Sequence, residues 1–352
     1  MLTPRGFASD NASGVHPRVL EAIAAANNGH AQPYGDDVWS ERAACALQGA
    51  FDAHCEPLFC FGGTGANVIA LATLGDPHDA VVCADTAHLW TSEGAAPERF
   101  LGSKILPVPS HHGKLTSALL EDFLQPGRGV HQPRPSILSV TQPTELGTVY
   151  SPQELRELCL LAHEREMRVH IDGARLANAA AALDTSLAAV SRECGADAVS
   201  FGGTKNGLMG GEVVLVFESS LFDKARRIRK QSMQLASKMR FLAAQFIAYL
   251  DAELWRQTAS TANRMAARLY EGVSRETGVA FEYPVETNML FPRLPLEVIT
   301  ELQQQYSFYT WDASRSVARW VTSFDTEDEE VDGLVAATTM ALRTAGKGSP
   351  RP

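Results

Sequence analysis

The chain has 352 residues, 45% of them hydrophobic and 20% charged, the balance of a globular protein with room for a large domain and a smaller one. Its formal net charge of -10 argues against nucleic acid or an anionic membrane as the main partner. No stretch approaches the roughly 18 apolar residues of a membrane span, and Met1-Leu-Thr-Pro-Arg-Gly6 lacks the apolar core of a secretory leader. The six cysteines, Cys45, Cys55, Cys60, Cys83, Cys159 and Cys194, are scattered and show no C-x-x-C spacing. They read as reduced core thiols of a cytoplasmic protein rather than as catalytic groups.

The first residues are polar and turn-rich, and Pro17 then opens a helix over 17–25. From residue 57 onward, short apolar runs alternate with helical stretches. The runs predict strands over 57–61, 80–84, 137–141, 168–171, 198–201 and 212–217, with helices over 65–74 and 152–165. This alternation indicates an α/β fold whose mostly parallel sheet is covered on both faces. A long basic helical region follows over 220–270, containing Lys224-Ala-Arg-Arg-Ile-Arg-Lys230. It lacks the interleaved aromatics of a nucleic-acid surface and reads as a solvated face or a subunit contact. The remainder predicts a smaller α+β unit, with strands over 279–283, 288–291 and 318–324. A final helix runs over 327–343, its acidic start suited to the helix dipole, and the tail 346–352 is expected to fray.

Active sites of such sheets gather at the carboxyl ends of the strands. Asp172, in His170-Ile-Asp-Gly-Ala-Arg175, ends one predicted strand, and Lys205, in Ser200-Phe-Gly-Gly-Thr-Lys-Asn-Gly207, follows the next. An acid and a lysine placed this way suit pyridoxal phosphate (PLP). The lysine binds the cofactor aldehyde as a Schiff base, and the acid keeps the ring nitrogen protonated. Taken alone, Asp172 fits equally well an acid paired with Arg175, and Lys205 a loop lysine beside a glycine turn. Gly62-Gly63-Thr64-Gly65 lies between a strand and a helix, where backbone N–H groups, the Thr64 hydroxyl and the helix dipole could hold the PLP phosphate. His88 follows the strand over 80–84 and could stack on the ring or take a proton, with Glu93 orienting it or holding a water. Arg175 and Arg319 are candidates for binding a substrate carboxylate, and each fits an internal salt bridge as readily. No metal site is expected.

Together these stretches resemble the threonine aldolase family of fold-type I PLP enzymes, within the β-eliminating lyases. The matching pieces are Ser9-Asp10, Tyr34-Gly-Asp-Asp-Val38, Phe59-Cys-Phe-Gly-Gly-Thr-Gly-Ala-Asn67, His88 with Glu93, and Gly147-Thr-Val-Tyr-Ser151. His170 to Leu176, Ser200 to Gly207 and Arg319-Trp-Val-Thr322 complete the series in family order.

The resemblance implies a seven-stranded sheet in a large PLP-binding domain over 15–235, an N-terminal arm over 1–14 and a small C-terminal α+β domain over 236–352. It also implies cleavage of L-threonine, L-allo-threonine or related β-hydroxy-α-amino acids such as phenylserine, to glycine and an aldehyde. Lys205 would carry PLP, Asp172 would face the ring nitrogen and His88 would stack on the ring. Gly63 and Thr64 would hold the phosphate, with Gly62 in the same turn. Ser9, Arg175 and Arg319 would bind around the substrate carboxylate and the cofactor oxygen, with Tyr34 also on the substrate side. The family forms homotetramers built from dimers, with active sites at the dimer interface, so Lys230 or Arg240 would reach a neighbour's phosphate.

The pattern departs from the family at two points. Gly62 stands where many members have serine, which removes one hydroxyl donor. The family's Thr-His pair before Gly147-Thr-Val-Tyr150 is replaced in Thr141-Gln-Pro-Thr-Glu145, and the histidine position matches Thr144. Deprotonation of the substrate β-hydroxyl then falls to His88, or to a water held by Glu93. The alternative is another PLP reaction on the same scaffold (β-elimination, transaldol exchange or racemisation), or a non-catalytic PLP-binding protein.

Overall fold

The structure, a computed structural model, describes residues 6–124 and 129–348. Its centre is a seven-stranded sheet in the order β1-β7-β6-β5-β4-β2-β3. The strands are β1 (Glu56–Cys60), β2 (Asp79–Ala84), β3 (Lys104–Val108), β4 (Arg134–Thr141), β5 (Arg168–Gly173), β6 (Ala198–Gly202) and β7 (Glu212–Val216). Neighbours from β3 through β6 pair in parallel, while β7 runs antiparallel to both β6 and β1. The expected mostly parallel sheet is therefore present. It also contains β3, which sequence periodicity does not mark because Lys104 and Pro107 interrupt its apolar pattern.

Every residue of β2, β6 and β7 is buried, as helices on both faces of the sheet require. On one face Ile69 and Leu71 of the helix Gly63–Leu74 pack with Val81, Val214 and Val216. On the other, Val82, Leu138, Val169 and Phe201 pack against Leu155 and Leu158 of the helix Pro152–Glu164, and against Phe246 and Tyr249. The helix Pro152–Glu164 begins where expected because Pro152 sits in its first turn and Ser151 and Glu154 form a reciprocal capping box.

The basic region expected to be helical over 220–270 is three helices, Phe222–Gln231, Arg240–Leu250 and Leu254–Thr277. Ala252 and Glu253 adopt positive φ between the last two, which breaks the helix there. The C-terminal part carries a second sheet, β8-β10-β9, formed by Met289–Leu290, Val317–Val321 and Tyr309–Asp312. The strand expected over 279–283 is reduced to a single bridge between Phe281 and Pro292. The last helix, Asp328–Gly348, runs past the expected end at 343 and into the tail expected to fray; residues 349–352 lie outside the described residues. Among the described residues no helix is long and apolar enough to cross a membrane.

Register sets the site. Thr141 at the end of β4 lies opposite Asp172 of β5, and Asp172 lies opposite Ser200 of β6. The carboxyl ends of the three central strands therefore open onto one edge, where Lys205 follows in a short turn, Thr204–Asn206.

Candidate active site

Asp172 is buried, at 4% exposure. Its Oδ1 accepts the Ala174 N–H at 3.1 Å, and its Oδ2 accepts Asn67 Nδ2 at 2.9 Å. The same Asn67 nitrogen donates to Glu93 Oε1 at 2.8 Å, and Glu93 Oε1 lies 2.9 Å from His88 Nδ1. Asn67 thus bridges two buried carboxylates, one of which holds the imidazole. The hydrogen bond that His88 donates to Glu93 raises the His88 pKa above its ordinary value. Sequence reading missed Asn67 in this role, although it ends the quoted glycine-turn stretch.

Lys205 is half-buried, and no hydrogen bond ties its amine to another of the described residues. Burial, reinforced by the nearby Arg175 charge, lowers its pKa. The amine is thereby biased toward the neutral, nucleophilic form. Glu212, at the start of β7, also lies near this lysine. Burial pushes its acid up to about 7 against the opposing effects of the Thr204 hydrogen bond and the Lys205 charge. Its acidic start to an otherwise apolar strand was the available sequence signal.

Of the two alternatives open for Arg175, the structure contains the ion pair, and its partner is Asp10 rather than Asp172. Arg175 Nε and Nη2 donate to Asp10 Oδ2 and Oδ1 at 2.6 and 2.9 Å. Asn288 Nδ2 also donates to Asp10, at 3.0 Å. Burial alone would raise Asp10, but the Arg175 charge and hydrogen bonds more than offset it and hold the carboxyl below its usual range. Arg175 Nη1 makes no hydrogen bond among the described residues. Arg319 lies near this pair, and burial followed by the Arg175 charge lowers its pKa. Its Nη2 donates to Ala8 O at 3.3 Å, its guanidinium stands over Tyr309 and Trp311, and its buried Nε has no partner among the described residues. Two neighbouring arginines, each with a donor that has no partner among the described residues, suit an incoming carboxylate. Ser9 lies beside them and caps the short turn Asp10–Ala12 through its hydroxyl.

Gly62 caps the helix Gly63–Leu74 without a side-chain hydrogen bond, and a methyl group at Gly62 or Gly63 would meet nothing within 4 Å. Thr64 belongs to the open first turn, whose N–H groups lack intrahelical acceptors. Gln234 folds over this turn, its Oε1 accepting the Phe61 N–H at 3.0 Å. A helix start joined through Asn67 to a buried acid, with Lys205 near that acid, fits the phosphate, ring nitrogen and aldehyde of PLP.

Thr144, the position matched to the family histidine, turns its hydroxyl inward. It is buried at 1% exposure, its hydroxyl is shared with Thr148 at 2.7 Å, and it accepts the Leu146 N–H at 3.2 Å. The next residue, Glu145, turns toward His88 and accepts its backbone N–H at 2.6 Å. Tyr34, Lys230 and Arg240 are not joined to Lys205 or Asp172 by any described contact. Lys230 Nζ stands over the Tyr34 ring, and Arg240 donates to Gly29 O at 3.1 Å. Among the described residues no cluster suited to a metal ion occurs.

Comparison with known proteins identifies the family. The family model described as β-eliminating lyase matches residues 6–295. A low specificity L-threonine aldolase of Pseudomonas aeruginosa is 42% identical over 338 residues, covering 96% of this chain and 97% of that protein. A threonine aldolase of Leishmania major superposes with a TM-score of 0.92 at 30% identity, over 96% of this chain and 100% of that one. An aspartate aminotransferase of Thermus thermophilus, at 17% identity and a TM-score of 0.68 over 94% of this chain and 89% of its own, shares the fold alone. Sequence, fold and relatives together place the chain in the β-eliminating lyase family, among its threonine aldolases.

Proposed function

We propose that this enzyme uses PLP to cleave L-threonine, L-allo-threonine and related β-hydroxy-α-amino acids, phenylserine among them, to glycine and an aldehyde. The observation that carries this reading is Lys205, half-buried and without a hydrogen bond to its amine among the described residues, close to buried Asp172 and to Arg175, with Arg319 next to Arg175. Bound PLP supplies an electron sink for the pair left on Cα when the Cα–Cβ bond breaks. Lys205 would bind the cofactor aldehyde, Asp172 would hold the ring nitrogen, and Gly62, Gly63 and Thr64 would hold the phosphate. His88, fixed by Glu93, covers the ring. Arg319 and Arg175 Nη1, with Ser9 beside them, hold the substrate carboxylate and so set the rotation about Cα. Tyr34, Lys230 and Arg240 would act across a subunit boundary, in a homotetramer with active sites shared between partners. The six free cysteines fit a reducing, cytoplasmic setting.

The test is product analysis with L-threonine, L-allo-threonine and phenylserine. Glycine plus aldehyde is expected; keto acid plus ammonia would assign β-elimination instead. Lys205→Ala should lose the visible absorbance of lysine-bound cofactor, and an unchanged spectrum would remove the lysine assignment.

A further inference from the structure

The substrate β-hydroxyl needs a base, and the residue expected beside it, Thr144, is turned inward. The turn that closes β4 explains the change. Thr144 N–H donates to Thr148 O at 2.9 Å and Gly147 N–H donates to Thr144 O at 3.0 Å, which directs the neighbouring Glu145 to the opposite side. Oε1 of Glu145 accepts the His88 N–H at 2.6 Å. Its Oε2 is buried without a hydrogen-bond partner among the described residues. A carboxylate oxygen left in that state is costly unless something else occupies or uses it.

The surrounding groups place this acid within the site. Asp172 from β5, Arg175 just beyond it, Cys83 from β2 and Tyr150 all lie close enough to interact electrostatically with Glu145, and the Thr141 hydroxyl from β4 stands within reach of its carboxylate and favours the charged form. His88 is the less suitable base, because the Glu93 hydrogen bond at Nδ1 favours the charged imidazolium, which has no lone pair to accept a proton.

From this geometry we propose that Glu145 is the base that takes the β-hydroxyl proton, a reading that rests on the retro-aldol function above. The hydroxyl proton passes to Oε2, the O–H pair becomes the second bond of the aldehyde carbonyl, and the Cα–Cβ pair stays on Cα. A proton then returns to Cα, so that amino acid becomes glycine plus aldehyde with no net gain or loss. Burial, with the Asp172 charge adding to it, raises the Glu145 acid to about 7, within the range a base at neutral pH requires.

The holoenzyme variant Glu145→Gln separates this step from the rest of the site. Glycine release from L-threonine should fall about 10²–10⁴-fold, while exchange of the glycine α-proton with D2O and the cofactor absorbance persist. In the wild type, kcat should rise with pH through about 7, where Glu145 ionises, and this limb should vanish in Glu145→Gln. Full glycine release by Glu145→Gln would overturn the proposal, as would an equal loss of exchange and cleavage. If Glu145→Gln loses its cofactor, Glu145→Asp carries the test: reduced cleavage with intact exchange supports the role, and a parallel loss overturns it. Wild-type enzyme that releases no glycine from any of the three substrates would instead remove the aldolase reading itself.

Discussion

Arg175 lies between several anions, and its geometry decides which one holds it. Asp10 takes two of its nitrogens at 2.6 and 2.9 Å, and both partners are largely buried. Removing the acid leaves an uncompensated buried cation, so Asp10→Asn should cost about 3–5 kcal/mol of stability, measured by urea unfolding. The pH dependence follows from the sign of the shift. Asp10 is held below its ordinary 3.8, so its contribution is complete above that value and is lost as pH falls through the lower folded value. The stability gap between the wild type and Asp10→Asn should therefore narrow below about pH 4. His88 also belongs at this scale. His88→Asn should leave lysine-bound cofactor absorbance in place but slow turnover, with KM for the amino acid changing less than kcat.

At the scale of elements, the site depends on how closely the ends of β5 and β6 approach. A Cβ at Gly202 would lie 2.5 Å from the Ala174 carbonyl oxygen and 2.8 Å from Glu212 Oε2. The carbonyl belongs to backbone and cannot swing aside. Gly202→Ala should therefore cost about 1–3 kcal/mol and weaken cofactor retention, measured by thermal unfolding and by dialysis of the holoenzyme. The sheet strands were legible because both-face burial makes β2, β6 and β7 continuous apolar runs. The edge strand β3 and the short β9, with Tyr309 and Trp311 exposed, lack that signature. The break at Ala252 and Glu253 was also hidden, because neither residue is a usual helix breaker.

Across the whole molecule, Asn288 ties the N-terminal arm to the C-terminal sheet. Its Nδ2 donates both to Asp10 and to Thr322 O, at 3.0 and 2.8 Å. Asn288→Ala should cost about 1–3 kcal/mol by leaving these buried acceptors short of a donor. It should also raise KM for the amino acid, because the Asp10–Arg175 pair loses its support beside Arg319. Either effect alone, without the other, would separate the structural link from the substrate site.

What the sequence determined by itself is chemistry that depends on near neighbours: apolar runs, the Gly62–Gly65 turn, the capping box at Ser151, and the order of Asp172 and Lys205 along the chain. Tertiary structure decided which groups meet. Asp10 finds Arg175 across 165 positions, and Asn67 finds Asp172 across 105. It also decided that Glu145 rather than Thr144 faces His88, because the hydrogen bonds closing that turn set the direction of each side chain. Residue identity supplies the possible interactions, and the direction of each side chain in the folded chain determines which of them form.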